Sequence, residues 1–379
     1  MSIPRVILVD VIPPNTPLRI AKRRITELEA LTNTYGGMAI VRIIQKRRTP
    51  DYQTYVGKGK LEEVALLARE QDVDIIILNN ALKPKQVFEV EEYARKTPMP
   101  EGREREKKLI QVWDRLDLIL HIFSKHAQTV EAKLQIRLAA IRHMGPRIFG
   151  MGSEMMQQAG GIGTRGGGET NIEMMRRHLS NQERQLKKQL AACAQTRRLH
   201  RERRTRVGLQ TVSIVGYTNA GKSSLLNALT HKGAYVANEL FATLDTRVGK
   251  VWLPGDPVGR EALLSDTIGF IQDLPPELVD AFRSTLEETV QADLILHVID
   301  VTDVFRAEKI QEVEQILTQL ELTDHPKLYV FNKIDGVKRV PRLTLQKRYA
   351  AFHPVFVSTR TGEGLEELKR VMFERLQEA

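Results

Sequence analysis

The sequence predicts a mixed α/β protein in which two sheet-containing domains flank a long helical segment. Short β-rich runs alternate with amphipathic helical stretches over residues 6–95 and again from residue 209, a pattern typical of α/β domains. Between these regions the composition shifts to helix formers interrupted by a cluster of glycines. With 379 residues, 42% of them hydrophobic, the chain is long enough for two or three domains.

The N-terminal α/β domain is expected over residues 1–100. Buried strands are predicted at VILVDVI (6–12), GMAIVRIIQ (37–45) and VDIIILN (73–79), because each is a short run rich in β-branched residues. Apolar residues near helical spacing predict helices at 18–32, 61–70 and 84–96. Pro98, Pro100 and Gly102 then end the domain.

Residues 101–208 are predicted to form a long, basic α-helical hairpin. Helix formers run from residue 101 to 144 and again from 171 to 206, and nine glycines among residues 145–168 predict a glycine-rich loop between the two arms. The second arm carries eleven Lys and Arg against three Glu, too lopsided for i,i+4 pairing to balance. We expect it to contact a polyanion, although a solvated charged face is the alternative. The RNA-binding candidates are Arg176, Arg177, Arg184, Lys187, Lys188, Arg197, Arg198, Arg201, Arg203 and Arg204.

The charge and the cysteine count narrow the class of protein. Residues 211–379 hold 19 Lys and Arg against 24 Asp and Glu, a net charge of −5. Because the whole chain has a net charge of +10, residues 1–210 carry +15. A polyanionic partner for the first half, either nucleic acid or an anionic membrane surface, follows from this asymmetry. The single cysteine, Cys193, excludes a disulfide-stapled scaffold. No apolar run approaches the roughly 18 residues of a membrane span, so we expect a cytoplasmic protein.

From residue 209 the alternation of strands and helices returns and predicts a mostly parallel sheet. Strands are expected at TVSIVG, TRVGKVWL, ALLSD, DLILHVID, KLYVFN and PVFVS. Helices are expected after Lys222, through residues 277–290 and 306–320, and from Gly364. The domain of residues 209–379 therefore has the pattern of a nucleotide-binding domain.

A phosphate-binding loop follows the first of these strands. Gly216-Tyr217-Thr218-Asn219-Ala220-Gly221-Lys222-Ser223 fits G-x-x-x-x-G-K-[ST] between a strand and a helix. The backbone N–H groups of such a loop face phosphate oxygens. Lys222 is expected to reach the β and γ phosphates, and Ser223 to bind Mg²⁺. This P-loop makes the C-terminal domain a candidate G domain.

Two further segments belong beside the phosphates. Asp266-Thr267-Ile268-Gly269 ends the strand ALLS, where Asp266 would bind Mg²⁺ through water and the Gly269 N–H would sense the γ-phosphate. A threonine that binds Mg²⁺ must precede this segment, and the order of elements does not choose between Thr243 and Thr246. The candidate segment is Phe241-Ala242-Thr243-Leu244-Asp245-Thr246.

The base is predicted to be guanine. Asn332-Lys333-Ile334-Asp335 follows the strand KLYVF, and one carboxylate can accept both N–H bonds of the guanine N1 and N2 edge. Adenine would leave Asp335 unpaired, so GTP should be preferred over ATP by on the order of 10³-fold or more. Ser358-Thr359-Arg360 resembles the last base-contacting loop of guanine nucleotide-binding domains.

These motifs together resemble the HflX family of P-loop GTPases. GYTNAGKS, FATLDTR, DTIGF and NKID are similar to its nucleotide domain, while YVGKGKLEE (55–63), EAKLQIRLA (131–139) and GGIGTRGGGETNIE (160–173) are similar to its N-terminal region. The resemblance implies Thr243 as the switch threonine. It also implies binding to the large ribosomal subunit and its ribosomal RNA, with GTP-dependent splitting of stalled ribosomes.

The position after Gly269 sets the expected mechanism. A glutamine there orients the attacking water in Ras-like enzymes, but this chain has Phe270. Intrinsic GTP hydrolysis should therefore be slow, and the expected catalytic residues are Lys222, Thr243 and Gly269.

Other functions remain as alternatives. They are a GTPase acting on transfer RNA, on ribosomal RNA or in subunit assembly, a GTPase peripherally associated with the membrane surface, and an RNA-binding module that does not hydrolyse GTP. We also expect that ATP could bind at the N-terminal domain, where Gly57-Lys58-Gly59-Lys60 could bind phosphate. The protein is expected to be a monomer.

Overall fold

A computed structural model describes residues 3–98, 109–158, 171–206, 208–230, 247–256, 258–266, 269–271, 290–338 and 340–378. The described residues confirm the mixed α/β class and form two sheets. The chain divides into two compact units, Met1–Lys125 with Leu134–Gln189, and His126–Lys133 with Leu190–Ala379. In the described ranges, no helix is both long and apolar enough to cross a membrane.

The first unit contains a parallel sheet in the order β2-β1-β3-β4. Its strands are β1 (Arg5–Ile12), β2 (Met38–Lys46), β3 (Ile75–Leu78) and β4 (Gln111–Asp114). Parallel neighbours require crossover connections, which the helices α1 (Leu18–Tyr35), α2 (Lys58–Glu70) and α3 (Pro84–Lys96) provide. The helix α4 (Arg115–His126) follows β4 directly. Because β1 and β3 are almost fully buried, the core of this unit lies around them.

Strand β4 corrects the helix expected to begin at residue 101. Residues 111–114 pair in parallel with β3, and Val112 and Trp113 are buried there. β-branched and aromatic side chains pack well on the surface of a sheet, and this packing outweighs the helical spacing of the surrounding sequence. The N-terminal sheet therefore takes in residues beyond position 100.

The helical arms are α5 (Val130–Gln158) and α6 (Asn171–Arg206). Residues 145–158, expected in the glycine-rich loop, are helical instead, and residues 159–168 lie outside the described residues. Each helical glycine costs about 1 kcal/mol relative to alanine, but Gly145 lies against Leu179 of α6, so side-chain packing between the arms offsets part of that cost. Within the first unit Arg142 pairs with Glu183, and within the second Arg197 pairs with Glu131, each at 3.1 Å.

The second unit contains a sheet in the order β10-β9-β8-β5-β7-β6. Neighbouring strands are parallel except β6, which runs antiparallel to β7. The strands are β5 (Gln210–Gly216), β6 (Arg247–Leu253), β7 (Arg260–Asp266), β8 (Leu294–Asp300), β9 (Lys327–Asn332) and β10 (Val355–Phe356). The helices are α7 (Lys222–Thr230), α8 (Arg306–Gln319), α9 (Arg342–Arg348) and α10 (Leu365–Glu378). The helix expected over 277–290 lies, except for Val290, outside the described residues.

The topology of this sheet places the candidate site. Strands β5, β8 and β9 lie side by side and are largely buried. Their carboxyl ends meet at one edge of the sheet, where ligands bind in open α/β folds.

Candidate nucleotide-binding site

The P-loop connects the end of β5 to the start of α7. Gly221 has a φ of 95°, a left-handed conformation that favours glycine, and a Cβ at this position would collide with the Asn332 amide nitrogen. The helix then begins at once, with the Leu225 N–H donating to the Gly221 carbonyl. Backbone N–H groups at this helix start form the kind of site that binds phosphate.

Lys222 is held by the loop that it belongs to. Its Nζ donates to the Gly216 carbonyl at 3.1 Å and to the Tyr217 carbonyl at 2.9 Å. Burial disfavours the charged form and lowers the pKa of Lys222 to about 8, although the nearby Asp266 carboxylate opposes the shift. A buried ammonium of this kind would gain from a negatively charged group, since an anion favours its charged form.

Ser223 and Asp266 meet at the same edge of the sheet. Ser223 opens the first turn of α7 and Asp266 ends β7, and the Ser223 hydroxyl donates to Asp266 Oδ2 at 2.6 Å. Asp266 is fully buried. A hydroxyl and a carboxylate held together supply the hard oxygen donors that Mg²⁺ takes, so these two residues fit a magnesium ion.

Gly269 and Phe270 are joined to the P-loop through the backbone. The Thr218 N–H donates to the Phe270 carbonyl at 2.7 Å, and the Phe270 N–H donates to the Gly216 carbonyl at 3.1 Å. A Cβ on Gly269 would come within 2.8 Å of Thr218 Cγ2 and 2.9 Å of Lys222 Nζ, so a larger residue here would displace its neighbours in the P-loop. The Phe270 ring is buried in a cluster with Val215, Tyr217 and Ile295.

The predicted base-contacting segments also come together. Asn332, at the end of β9, donates from Nδ2 to the Ala220 carbonyl at 2.9 Å, and its Oδ1 accepts the Thr359 N–H at 3.2 Å. Asp335 accepts a hydrogen bond from the Ser358 hydroxyl at 2.6 Å. The Arg360 guanidinium lies 4.0 Å from the Asp335 carboxylate and is 87% exposed.

Asp300 is a residue of this site that the motifs did not indicate. Lys333 Nζ lies 2.8 Å from an Asp300 carboxylate oxygen and donates to the Asn219 carbonyl at 2.7 Å. Asp300 therefore holds the lysine that bridges to the P-loop. The signal was available, because a carboxylate at the carboxyl end of a central strand lies where α/β sheets bind ligands.

Several of the predicted residues lie outside the described residues. They are Phe241, Ala242, Thr243, Leu244, Asp245, Thr246, Thr267 and Ile268.

On α6, the candidates Arg176, Arg177, Arg184, Lys187 and Lys188 are exposed. Arg197 is half-buried beside Glu131. The structure describes only the helical backbone, and not the side chains, of the remaining four candidates, which are Arg198, Arg201, Arg203 and Arg204.

Family comparisons match most of the chain. Residues 22–124 match the family described as GTP-binding GTPase N-terminal, residues 126–204 match the GTP-binding GTPase Middle Region, and residues 211–333 match the 50S ribosome-binding GTPase. The chain is 41% identical over 344 residues to the GTPase HflX of Caldanaerobacter subterraneus subsp. tengcongensis, covering 91% of this chain and 75% of that protein. The chain belongs to the HflX family of GTPases.

Other HflX proteins give the same result. The GTPase HflX of Escherichia coli (strain K12) is 38% identical over 351 residues, covering 92% of this chain and 78% of that protein. A crystal structure of SsGBP in complex with GDP aligns with a TM-score of 0.52 over 98% of both chains at 23% identity, which shows a shared fold. The resemblance to HflX is thus confirmed, and the protein is a GTP-hydrolysing enzyme with a P-loop domain.

Proposed function

We propose that this HflX GTPase is Mg²⁺-dependent, binds the large ribosomal subunit, and is stimulated by it to hydrolyse GTP during the splitting and rescue of stalled ribosomes. The observation that carries the proposal is the position of Phe270. Its ring is buried in the core, beside a P-loop in which Lys222 donates to two loop carbonyls and Ser223 donates to Asp266 at the end of β7. The side chain that orients water in Ras-like enzymes has no counterpart at this position.

The described residues would divide the work of binding GTP. Lys222 would transfer its hydrogen bonds from the loop carbonyls to the β and γ phosphates, and the Gly269 N–H would contact the γ-phosphate. Ser223 would hold Mg²⁺ directly, with Asp266 acting through water and Thr243 as the further ligand that the family resemblance implies. The metal neutralises charge on the phosphates when it is bound.

The guanine end would be read by the loops after β9 and β10. Asp335 would accept the N1–H and N2–H bonds, with the Ser358 hydroxyl orienting its carboxylate. The Asn332 amide and Lys333 connect this end to the P-loop.

Binding to the ribosome is supported by charge and by family. The matched family over residues 211–333 is described as a 50S ribosome-binding GTPase, and the exposed cations of α6 offer a surface for RNA phosphates. A partner that orders the segments around Thr243 and Gly269 would help to orient the attacking water, which the Phe270 side chain cannot do. The rate of GTP hydrolysis would therefore rise on binding.

The test is steady-state GTP hydrolysis with and without purified large ribosomal subunits, with ATP as a parallel substrate. We expect slow turnover of GTP alone, strong stimulation by subunits, and little ATP turnover. Lys222→Ala serves as the control that separates this enzyme from GTPases carried by the subunits. Turnover that subunits leave unchanged would refute the proposal and direct the search to transfer RNA, membranes or a protein activator.

A further inference from the structure

Two buried carboxylates and an imidazole converge at the start of α4, within the first unit. Asp114 ends β4, Asp117 lies in the first turn of α4, and His143 comes from α5. His143 Nε2 lies 3.2 Å from Asp114 Oδ1 and 3.2 Å from Asp117 Oδ1. The three donor atoms lie within 4.8 Å of one another, and both aspartates are nearly inaccessible to solvent.

The two carboxylates are held in place by the backbone. The Asp114 N–H donates to Asp117 Oδ2 and the Asp117 N–H donates to Asp114 Oδ1, both at 2.9 Å, in the reciprocal manner of a capping box. Asp114 Oδ2 also accepts the Leu82 N–H at 3.2 Å. Outer hydrogen bonds of this kind fix the orientation of metal-binding carboxylates.

This arrangement favours a cation between the carboxylates. Two like charges in a buried site are costly unless a positive group pairs with them. The imidazole of His143 lies within 3.2 Å of one oxygen of each carboxylate, so the three side chains already meet around one point.

We propose that Asp114, Asp117 and His143 form a binding site for a divalent transition metal, with Zn²⁺ the best fit. Ligand atoms about 2.1 Å from a tetrahedral zinc ion lie about 3.4 Å apart, close to the 3.2 Å that separates the imidazole nitrogen from each carboxylate oxygen. The metal replaces the proton on His143 Nε2 and takes water as its fourth ligand. The imidazole selects against Mg²⁺, which prefers oxygen ligands.

The bound metal joins three elements of the first unit. It connects the end of β4, the first turn of α4 and the middle of α5 through its ligands. Coordination bonds would then hold α5 against the N-terminal sheet, in place of the proton on His143 Nε2 that lies between the two carboxylates. The proposed site lies in the first unit and the P-loop in the second, so we expect its loss to leave GDP binding intact.

The experiment uses the full-length protein, stripped of metal by a chelator and saturated with GDP and Mg²⁺. Co²⁺ is titrated as the probe, because tetrahedral Co²⁺ absorbs visible light far more strongly than octahedral Co²⁺, and Zn²⁺ is then added as competitor. We expect one equivalent of tetrahedral Co²⁺ in the wild type, displaced by Zn²⁺. The signal is lost in His143→Gln and in Asp117→Asn and kept in His178→Gln, which removes an exposed histidine of α6.

A second readout is thermal stability. Zn²⁺ at a 100-fold excess over its Kd raises the melting temperature of the wild type and of His178→Gln, but not that of His143→Gln. Far-ultraviolet circular dichroism and GDP binding verify that each variant is folded. The absence of a saturable tetrahedral spectrum in the wild type, or its retention in a folded His143→Gln, would overturn the proposal and leave the cluster as an ion pair around protonated His143.

Discussion

Lys222 is the residue on which phosphate binding should depend most. Lys222→Ala removes a buried ammonium that already makes two hydrogen bonds within the P-loop. Hydrogen bonds to charged groups contribute about 1.5–3 kcal/mol each, so GDP and GTP affinity should fall on the order of 10²-fold or more. Isothermal titration calorimetry measures the loss, with Lys250→Ala, an exposed lysine of β6, as the control. Equal affinities in the two variants would contradict the placement of Lys222.

Asp335 should determine the choice of base. In Asp335→Asn the amide NH₂ faces the N1–H and N2–H of guanine, while its carbonyl can still accept the Ser358 hydroxyl. We expect guanine affinity to fall on the order of 10³-fold and xanthine affinity to rise, because the C2 carbonyl of xanthine accepts from the new amide. Competition between GDP and XDP for a fluorescent nucleotide measures both changes. A variant that still prefers GDP would place the base elsewhere.

Glu314 on α8 should control the acid stability of the second unit. Burial raises its pKa, but hydrogen bonds with His297 and Lys327 outweigh this and lower it to about 2. A depressed carboxyl pKa adds stability above the unfolded value of 4.5, and this stability is lost as pH falls toward 2. Denaturant unfolding across this range should show a steeper loss in the wild type than in Glu314→Gln. Parallel curves would exclude this pair of hydrogen bonds as the cause.

The sequence predicts which residues form the nucleotide site, but not the contacts that hold them in place. Lys222, Ser223 and Asp335 belong to motifs whose spacing reflects the shape of a phosphate loop and a base edge. The core position of the Phe270 side chain and the link between Asp300 and Lys333 depend on strands far apart in the chain. Sequence motifs therefore predict which residues contact the nucleotide, whereas tertiary packing determines which other residues hold them in position.

At the scale of elements, buried strands and helices with clear periodicity were predictable, and the middle of the chain was less so. Strand β4 is only four residues long and lies within a run of helix formers, so its identity depends on the neighbouring β3. The glycines of residues 145–158 likewise predict a loop, whereas the structure has helix α5 there. In both cases a contact outside the element outweighs its intrinsic propensity.

The exposed cations of α6 should carry RNA binding as a group. Reversal of four of them to glutamate should weaken pelleting with large subunits and flatten the dependence of affinity on salt, since each phosphate contact contributes about 0.7–0.9 to the log–log slope. The four substituted residues are Arg176, Arg177, Lys187 and Lys188. GDP affinity should stay unchanged.

A matched control reverses four exposed cations of the second unit: Lys338, Lys347, Arg348 and Arg370. Because the charge change is the same, equal losses of pelleting in both variants would assign the effect to net charge and contradict a specific role for α6.

At the scale of the whole molecule, the fold class followed from the alternation of strands and helices, while the distribution of charge gave a functional expectation. The +15 of residues 1–210 against the −5 of residues 211–379 separates a basic half, for which we propose a polyanionic partner, from the half that contains the P-loop. Stimulation of GTP hydrolysis by large subunits should therefore fall as salt rises from about 50 to 200 mM. Nucleotide affinity, measured in the same series, should change far less, and a parallel decline would indicate an effect of salt on the nucleotide site.

The Asn332 amide contacts both the P-loop and the loop after β10. The spacing between the two ends of the nucleotide pocket is consequently fixed by the protein before any ligand arrives. We therefore expect a nucleotide to be selected by its length as well as by its base and its phosphates. We also expect the spacing between the two ends to change little on binding, so GDP and GTP should differ mainly in what the third phosphate reaches.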